Sequence, residues 1–203
     1  MSTFGEIQSR INSDYLNRTD LSAATQRSIF AAIRHYEGQR FNFNETATAL
    51  TTSAGQSFIA FPSNLIVLDY VQITEASSDI ALIYRDYDWI KRANVTRTQS
   101  VPTHYTVYQN RIELFPIPDS AYSVPVAYIK RLTALSADAD TNAWTSGEAE
   151  DVIVYHATKL MWANVLRNTD EALKFADLER ASKSTLMRHR EQMPHLVIRA
   201  TDF

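Results

Sequence analysis

Cysteine is missing from all 203 residues, which removes disulfide frameworks, thiolate metal sites and thiol nucleophiles together. Glycine is nearly as scarce. Gly5, Gly38, Gly55 and Gly147 stand far apart, whereas a phosphate-cradling loop needs clustered glycines so that backbone N–H groups reach the anion, and a nucleotide fold of that kind is excluded. Runs of ~18 apolar residues do not occur, so no membrane-spanning helix is expected. The first ten residues interleave polar side chains with Phe4 and Ile7 and lack the continuous apolar stretch of a secretion signal, so no export is expected either.

Neither sign of charge dominates. Twenty Lys and Arg stand against 23 Asp and Glu, a formal net charge of -3, which gives no field to hold a polyanion; charge-driven DNA binding by a single copy is not expected. With 45% apolar and 21% charged residues the composition is that of an ordinary globular chain. The five histidines, His35, His104, His156, His189 and His195, show no HExxH or other ligand spacing, and no metal or other cofactor is expected. No serine sits in a GxSxG elbow. Acid pairs suited to glycoside hydrolysis exist in Asp138 with Asp140 and in Glu148 with Glu150 and Asp151. The first pair falls in a polar loop and the second opens a helix, where carboxylates complement the dipole, so the structural role is favoured for both.

Thr3 and Glu6 form a capping-box pattern ahead of Phe4, Ile7 and Ile11, predicting a helix that ends near Leu16. A second helix begins at Asp20 or Ser22 and carries Ile29, Phe30, Ile33 and Tyr36 until Gly38. Beyond Phe41 the period changes from helical to alternating. β-Branched and aromatic residues predict strands over 46–52, 58–61, 65–73, 105–108, 111–115 and 122–130. Gln109 and Asn110 make a tight hairpin between two of these, residues 86–93 form a brief helix, and Pro116 with Pro118 enforces a turn. After a polar loop over 136–147, helices resume on Val152, Ile153, His156, Leu160 and Ala163, and then on Ala172, Phe175, Leu178, Leu186 and Met187, stopping at Pro194.

The expected fold is α+β: N- and C-terminal helical hairpins packed as one helix bundle (residues 1–40 and 136–194), a central antiparallel β insertion (41–135) and a tail (195–203). Two features of the C-terminal end are candidate sites. Arg180, Lys183, Arg188 and Arg190 gather late in the last helix, either solvated, facing a neighbouring subunit or facing a polyanion. The tail, with His195, Leu196, Val197, Ile198, Arg199 and Phe203, is apolar and follows a forced helix stop, so it either folds back or adds to a partner by strand augmentation.

One ordered set of segments carries a resemblance: Phe4-Gly5-Glu6-Ile7 with the helix over 29–36, then Phe61-Pro62-Ser63-Asn64-Leu65, Val101-Pro102-Thr103-His104-Tyr105, Arg111-Ile112-Glu113-Leu114-Phe115-Pro116-Ile117-Pro118-Asp119 and Val126-Ala127-Tyr128. In this order they resemble the head-to-tail adaptors of tailed bacteriophages, the group that includes the tail tubular protein A of short-tailed phages. That resemblance implies a non-enzymatic virion neck component, made in the bacterial host cytoplasm. It implies a homo-oligomeric, usually dodecameric, ring between the portal protein and the tail nozzle or tail tube protein, through which genomic DNA passes without sequence-specific binding. The helices would form the ring body and the tail would reach the portal, although the segment after Pro194 is short for an arm. Two rival expectations remain from the residues: a tail-associated peptidoglycan hydrolase using Glu148 or Asp151 as its acid, and a sugar- or receptor-binding module built on Tyr84, Tyr87, Trp89 and Tyr105.

Overall fold

The computed structural model describes residues 1–192, apart from the side chains of Glu148 and of residues 189–192. The described chain is α+β and divides into two compact units, one made of Met1–Phe43 with the chain from Leu132 onward, the other of Asn44–Arg131.

The helical unit contains α1 (Phe4–Ser9), α2 (Ser22–Tyr36), α4 (Gly147–Leu160) and α5 (Thr169–Gln192). The capping box is present: Thr3 Oγ1 accepts from the Glu6 N–H at 3.2 Å and the Glu6 carboxylate accepts from the Thr3 N–H at 2.7 Å. Gly5 is required by close approach, since a Cβ there would lie 2.9 Å from the Asp138 Cβ and the Gly5 N–H donates to the Asp138 carbonyl. The first predicted helix reaches Leu16 as expected, but its second half, Arg10–Tyr15, is a π-helix. The helix α4 ends the same way, widening over Met161–Val165 before Leu166. Each is followed by a residue of positive φ, Asn17 (49°) and Arg167 (54°), which stops the helix. Periodicity of apolar residues does not register a π turn, because the two forms differ by one residue per turn over a single turn.

Side chains from all four helices enter one core, in which Phe4, Ile7, Ile11, Ile29, Tyr36, Ile153 and Trp144 are fully buried. Each such side chain contributes about 1.5–3 kcal/mol relative to exposure. Trp144 is set by Asn142, whose side chain accepts from the Trp144 N–H at 2.8 Å, and its ring meets Phe41 and Phe43 edge-on at 5.5 and 4.9 Å.

The β unit holds β1 (Glu45–Thr51), β2 (Phe58–Ala60), β3 (Leu65–Glu75), β4 (Ser78–Ala81), β5 (Ile83–Tyr84), α3 (Tyr87–Ala93), β6 (His104–Tyr108), β7 (Arg111–Phe115) and β8 (Ser123–Lys130). They form two four-stranded sheets, β1-β8-β3-β4 and β2-β7-β6-β5. All pairs are antiparallel except β5 with β6, which departs from a purely antiparallel expectation. Val71, Ile73, Val124 and Val126 from the first sheet meet Ile59, Ile112 and Leu114 from the second in a shared core. Gln109 and Asn110 both have positive φ, 50° and 58°, as a two-residue hairpin matched to strand twist requires. A second such turn at Ala76 and Ser77 joins β3 to β4; neither residue type signals it, so β4 was not expected.

Candidate assembly surface

The basic residues singled out on α5 do not act as a single block. Arg180 Nη1 lies 3.0 Å from Asp177 Oδ1, an exposed pair one turn apart. Lys183 projects inward along the helix, its Nζ 5.4 Å from the centre of the Tyr36 ring. Arg188 turns back on its own helix, donating to the Ser184 carbonyl and the Thr185 hydroxyl. Arg190 belongs to α5, but its side chain and the whole tail over 195–203 lie outside the described residues.

Between these cations, Glu179 performs a role that the sequence reading missed. It is 8% exposed and its carboxylate accepts from the Tyr36 hydroxyl of α2, from His156 Nδ1 of α4 at 2.8 Å and from Lys159 Nζ of α4 at 2.5 Å. Burial alone would raise this carboxyl, but hydrogen bonds from His156, Lys159 and Tyr36 outweigh it and hold the pKa at about 2. Burial and the same hydrogen bond push the Tyr36 phenol up. The His35 ring stacks on His156 at 4.6 Å, and desolvation, with His156 next to it, lowers the His35 pKa. One carboxylate thus ties three helices together. The signal was present in the spacing, because Glu179 stands four residues after Phe175 and seven before Leu186, on the apolar stripe of α5.

Of the acids weighed for hydrolysis, Glu150, Asp151 and Asp140 are committed elsewhere, and the Glu148 side chain lies outside the described residues. Glu150 and Asp151 both bind Arg10, at 3.0 and 2.8 Å, and Arg10 also donates to the Tyr15 hydroxyl. Asp140 accepts from the backbone N–H groups of Ala137 and Ser136, which lower its pKa. A carboxylate in such a cage organises a loop; it is poorly placed to donate a proton.

In the β unit the aromatics named as a sugar-binding alternative are mostly mutual neighbours. Tyr84 meets Tyr105 at 5.7 Å, Tyr87 stacks on Tyr108 at 3.8 Å, and Trp89 packs on His104 and Phe115. The helix α3 lies over the outer side of β6 and β7, fixed there by Glu113, which is fully buried and held by Lys91 Nζ at 3.1 Å and Arg111 Nη2 at 2.8 Å. Asn94 adds a hydrogen bond to the Leu114 carbonyl. Trp89 remains 40% exposed on this face, which marks it as one that can meet a partner. Among the described residues no group of three or more His, Asp or Glu side chains could hold a metal ion, and no helix is long and apolar enough to cross a membrane.

The chain is α+β, with a buried apolar helical core and an exposed aromatic face on the β unit. Residues 2–198 match the family described as SU10 adaptor protein, and the chain belongs to that family of phage head–tail adaptors. Family membership makes it a bacteriophage structural protein, a component of the virion that associates with other head or tail proteins. No curated protein matches the chain.

Proposed function

We propose that this adaptor is a non-catalytic neck component that closes into a homo-oligomeric, dodecameric ring between the portal protein and the tail nozzle or tail tube, leaving a central conduit for DNA. The family match over residues 2–198 carries the reading. The two pairs of helices from the chain ends build the ring body, and many modest contacts repeated around a closed ring give strong avidity without one tight interface. A net charge of -3 suits a conduit, since a strongly basic wall would retain phosphates through counterion release. Residues 195–203, with His195, Leu196, Val197, Ile198, Arg199 and Phe203, dock on the portal, while Arg180, Lys183, Arg188 and Arg190 face a neighbouring copy or the channel. The role is of the kind filled by tail tubular protein A.

Negative-stain imaging of the purified protein mixed with portal rings tests the proposal: an added layer on the ring is expected, and bare portal rings at saturating protein would contradict it. Deleting 195–203 is expected to abolish the layer, and an unchanged layer removes the tail from the docking role. Clearing of a cell-wall suspension that is lost in Glu148→Gln would overturn the non-catalytic reading.

A further inference from the structure

The two sheets of the β unit share one core, so their outer faces point away from each other, and these two faces are unlike. The outer side of β2-β7-β6-β5 carries α3 with Tyr87, Trp89 and Tyr108, and cations lie over the aromatic rings: Arg85 over Trp89 at 5.6 Å, Lys91 over Tyr87 at 5.0 Å and Arg111 over Phe58 at 4.6 Å. Counting Arg92, which lies beside Asp86, Tyr87, Asp88 and Trp89, this side has four cations against Asp86, Asp88 and the buried Glu113. It is aromatic and cationic.

The outer side of β1-β8-β3-β4 is its complement. Register sets Ala47 beside Ala127, Ala49 beside Pro125 and Tyr70 beside Ala127, on the face opposite to the buried Val71, Val124 and Val126. Ala47, Ala49, Thr51 and Tyr70 are exposed there, and α3 lies on the other sheet. Alternation places Glu45 of β1 and Asp79 of β4 on that face, whereas Glu75 and Lys130 share the side of Ile73 and Val126. This face is small-chained along β1 and carries acids without Lys or Arg. Edge strands normally carry Lys, Pro or a bulge to prevent pairing with other chains, and β1 has none of these.

We infer that the α3-bearing face of one copy packs on the β1-β8-β3-β4 face of the next copy, and that this head-to-tail contact is a repeating subunit interface of the ring. The inference rests on the ring reading above and assigns its surface. Aromatic and arginine side chains centred on Trp89 are the residue types that dominate binding energy at protein interfaces, and a small-chained face carrying acids accepts both the rings and the cations. Two different patches on opposite sides of one unit make a heterologous contact, which closes into a ring when the rotation allows it; a single self-complementary patch would stop at a dimer.

The absence of native cysteine makes the test clean. A full-length double variant, Ala49→Cys with Asp88→Cys, treated with a bifunctional maleimide under conditions where the wild type assembles, alone or on portal rings, is expected to give a covalent ladder extending beyond the dimer. An equimolar mixture of the two single variants is expected to stop at dimers. Trp89→Asp and Ala49→Arg, both at exposed positions and each checked for a wild-type unfolding transition, are expected to weaken assembly at least about tenfold. Wild-type assembly by both variants, or assembled double variant that yields no ladder, overturns the interface and leaves the ring reading standing. Cross-linked dimers from either single variant alone show a self-complementary contact and also overturn it. A wild type that stays monomeric even with portal rings removes the ring reading and this inference together.

Discussion

Of the fourteen large apolar side chains exposed among the described residues, nine lie in Asn44–Arg131 and five in the helical unit. The buried clusters run the other way, with seventeen residues in the helical core and nine between the sheets. The helical unit also buries a hydrogen-bonded carboxylate, Glu179, and joins its first helix to α4 through Arg10 with Glu150 and Asp151. The β unit keeps a small core and turns its aromatics outward. The contrast is one of packing: the helical unit buries most of its large apolar side chains, and the β unit keeps more of them exposed.

Substitutions can break that comparison. The largest effect is expected for Trp144→Ala, which empties a site packed by Phe41 and Phe43 and should cost about 3–5 kcal/mol, read from the urea unfolding midpoint. If the β unit were the stability-bearing region, this change would instead leave global unfolding nearly unmoved. Next comes Glu179→Ala, which strands His156, Lys159 and the Tyr36 hydroxyl beside one another and is expected to cost about 2–4 kcal/mol by the same measurement. A cost below ~0.5 kcal/mol would reduce the knot to a surface pair.

A smaller effect is expected from pH. The folded-state pKa of His35 lies below its ordinary value of 6.5, so the native state binds fewer protons than the unfolded chain. Stability is therefore complete above about pH 6.5 and declines as pH falls through the folded value. The depressed Glu179 pKa acts in the same direction further down: its contribution is present above 4.5 and lost as pH falls toward about 2. Thermal unfolding recorded from pH 8 to pH 3 is expected to show both declines, the first of them reduced in His35→Gln, with the remainder supplied by His104, whose pKa burial also lowers. A flat profile down to pH 5 in the wild type would sink the assignment to His35.

Much of the fold was legible because local rules and global packing agree. The Thr3–Glu6 box, the stripe Ile29, Ile33, Tyr36 and the switch to alternation beyond Phe41 each report one period of burial. The Gln109-Asn110 hairpin was readable from its length and flanking strands, and the brief helix after Asp86 from Tyr87, Trp89 and Ile90. Three features were not legible. The π turns at Arg10–Tyr15 and Met161–Val165 add one residue to one turn, which no apolar spacing resolves. The Ala76-Ser77 turn uses residue types that rarely take positive φ, so β4 was hidden. The parallel pairing of β5 with β6 depends on the chain crossing between sheets at Leu82, a long-range choice that a two-residue strand cannot announce. At the candidate sites, an acid within a charged run reads as solvated, and only its alignment with Phe175 and Leu186 betrays Glu179.

The central claim is that this adaptor acts by repeated self-contact, and the mass of the complex it forms with portal rings tests this most directly. Mass photometry of the mixture is expected to show one discrete species, heavier than the portal ring by a full complement of adaptor copies and without partial occupancies at saturation. A gain of one or a few copies, or a monomer that never leaves the free peak, would contradict the account.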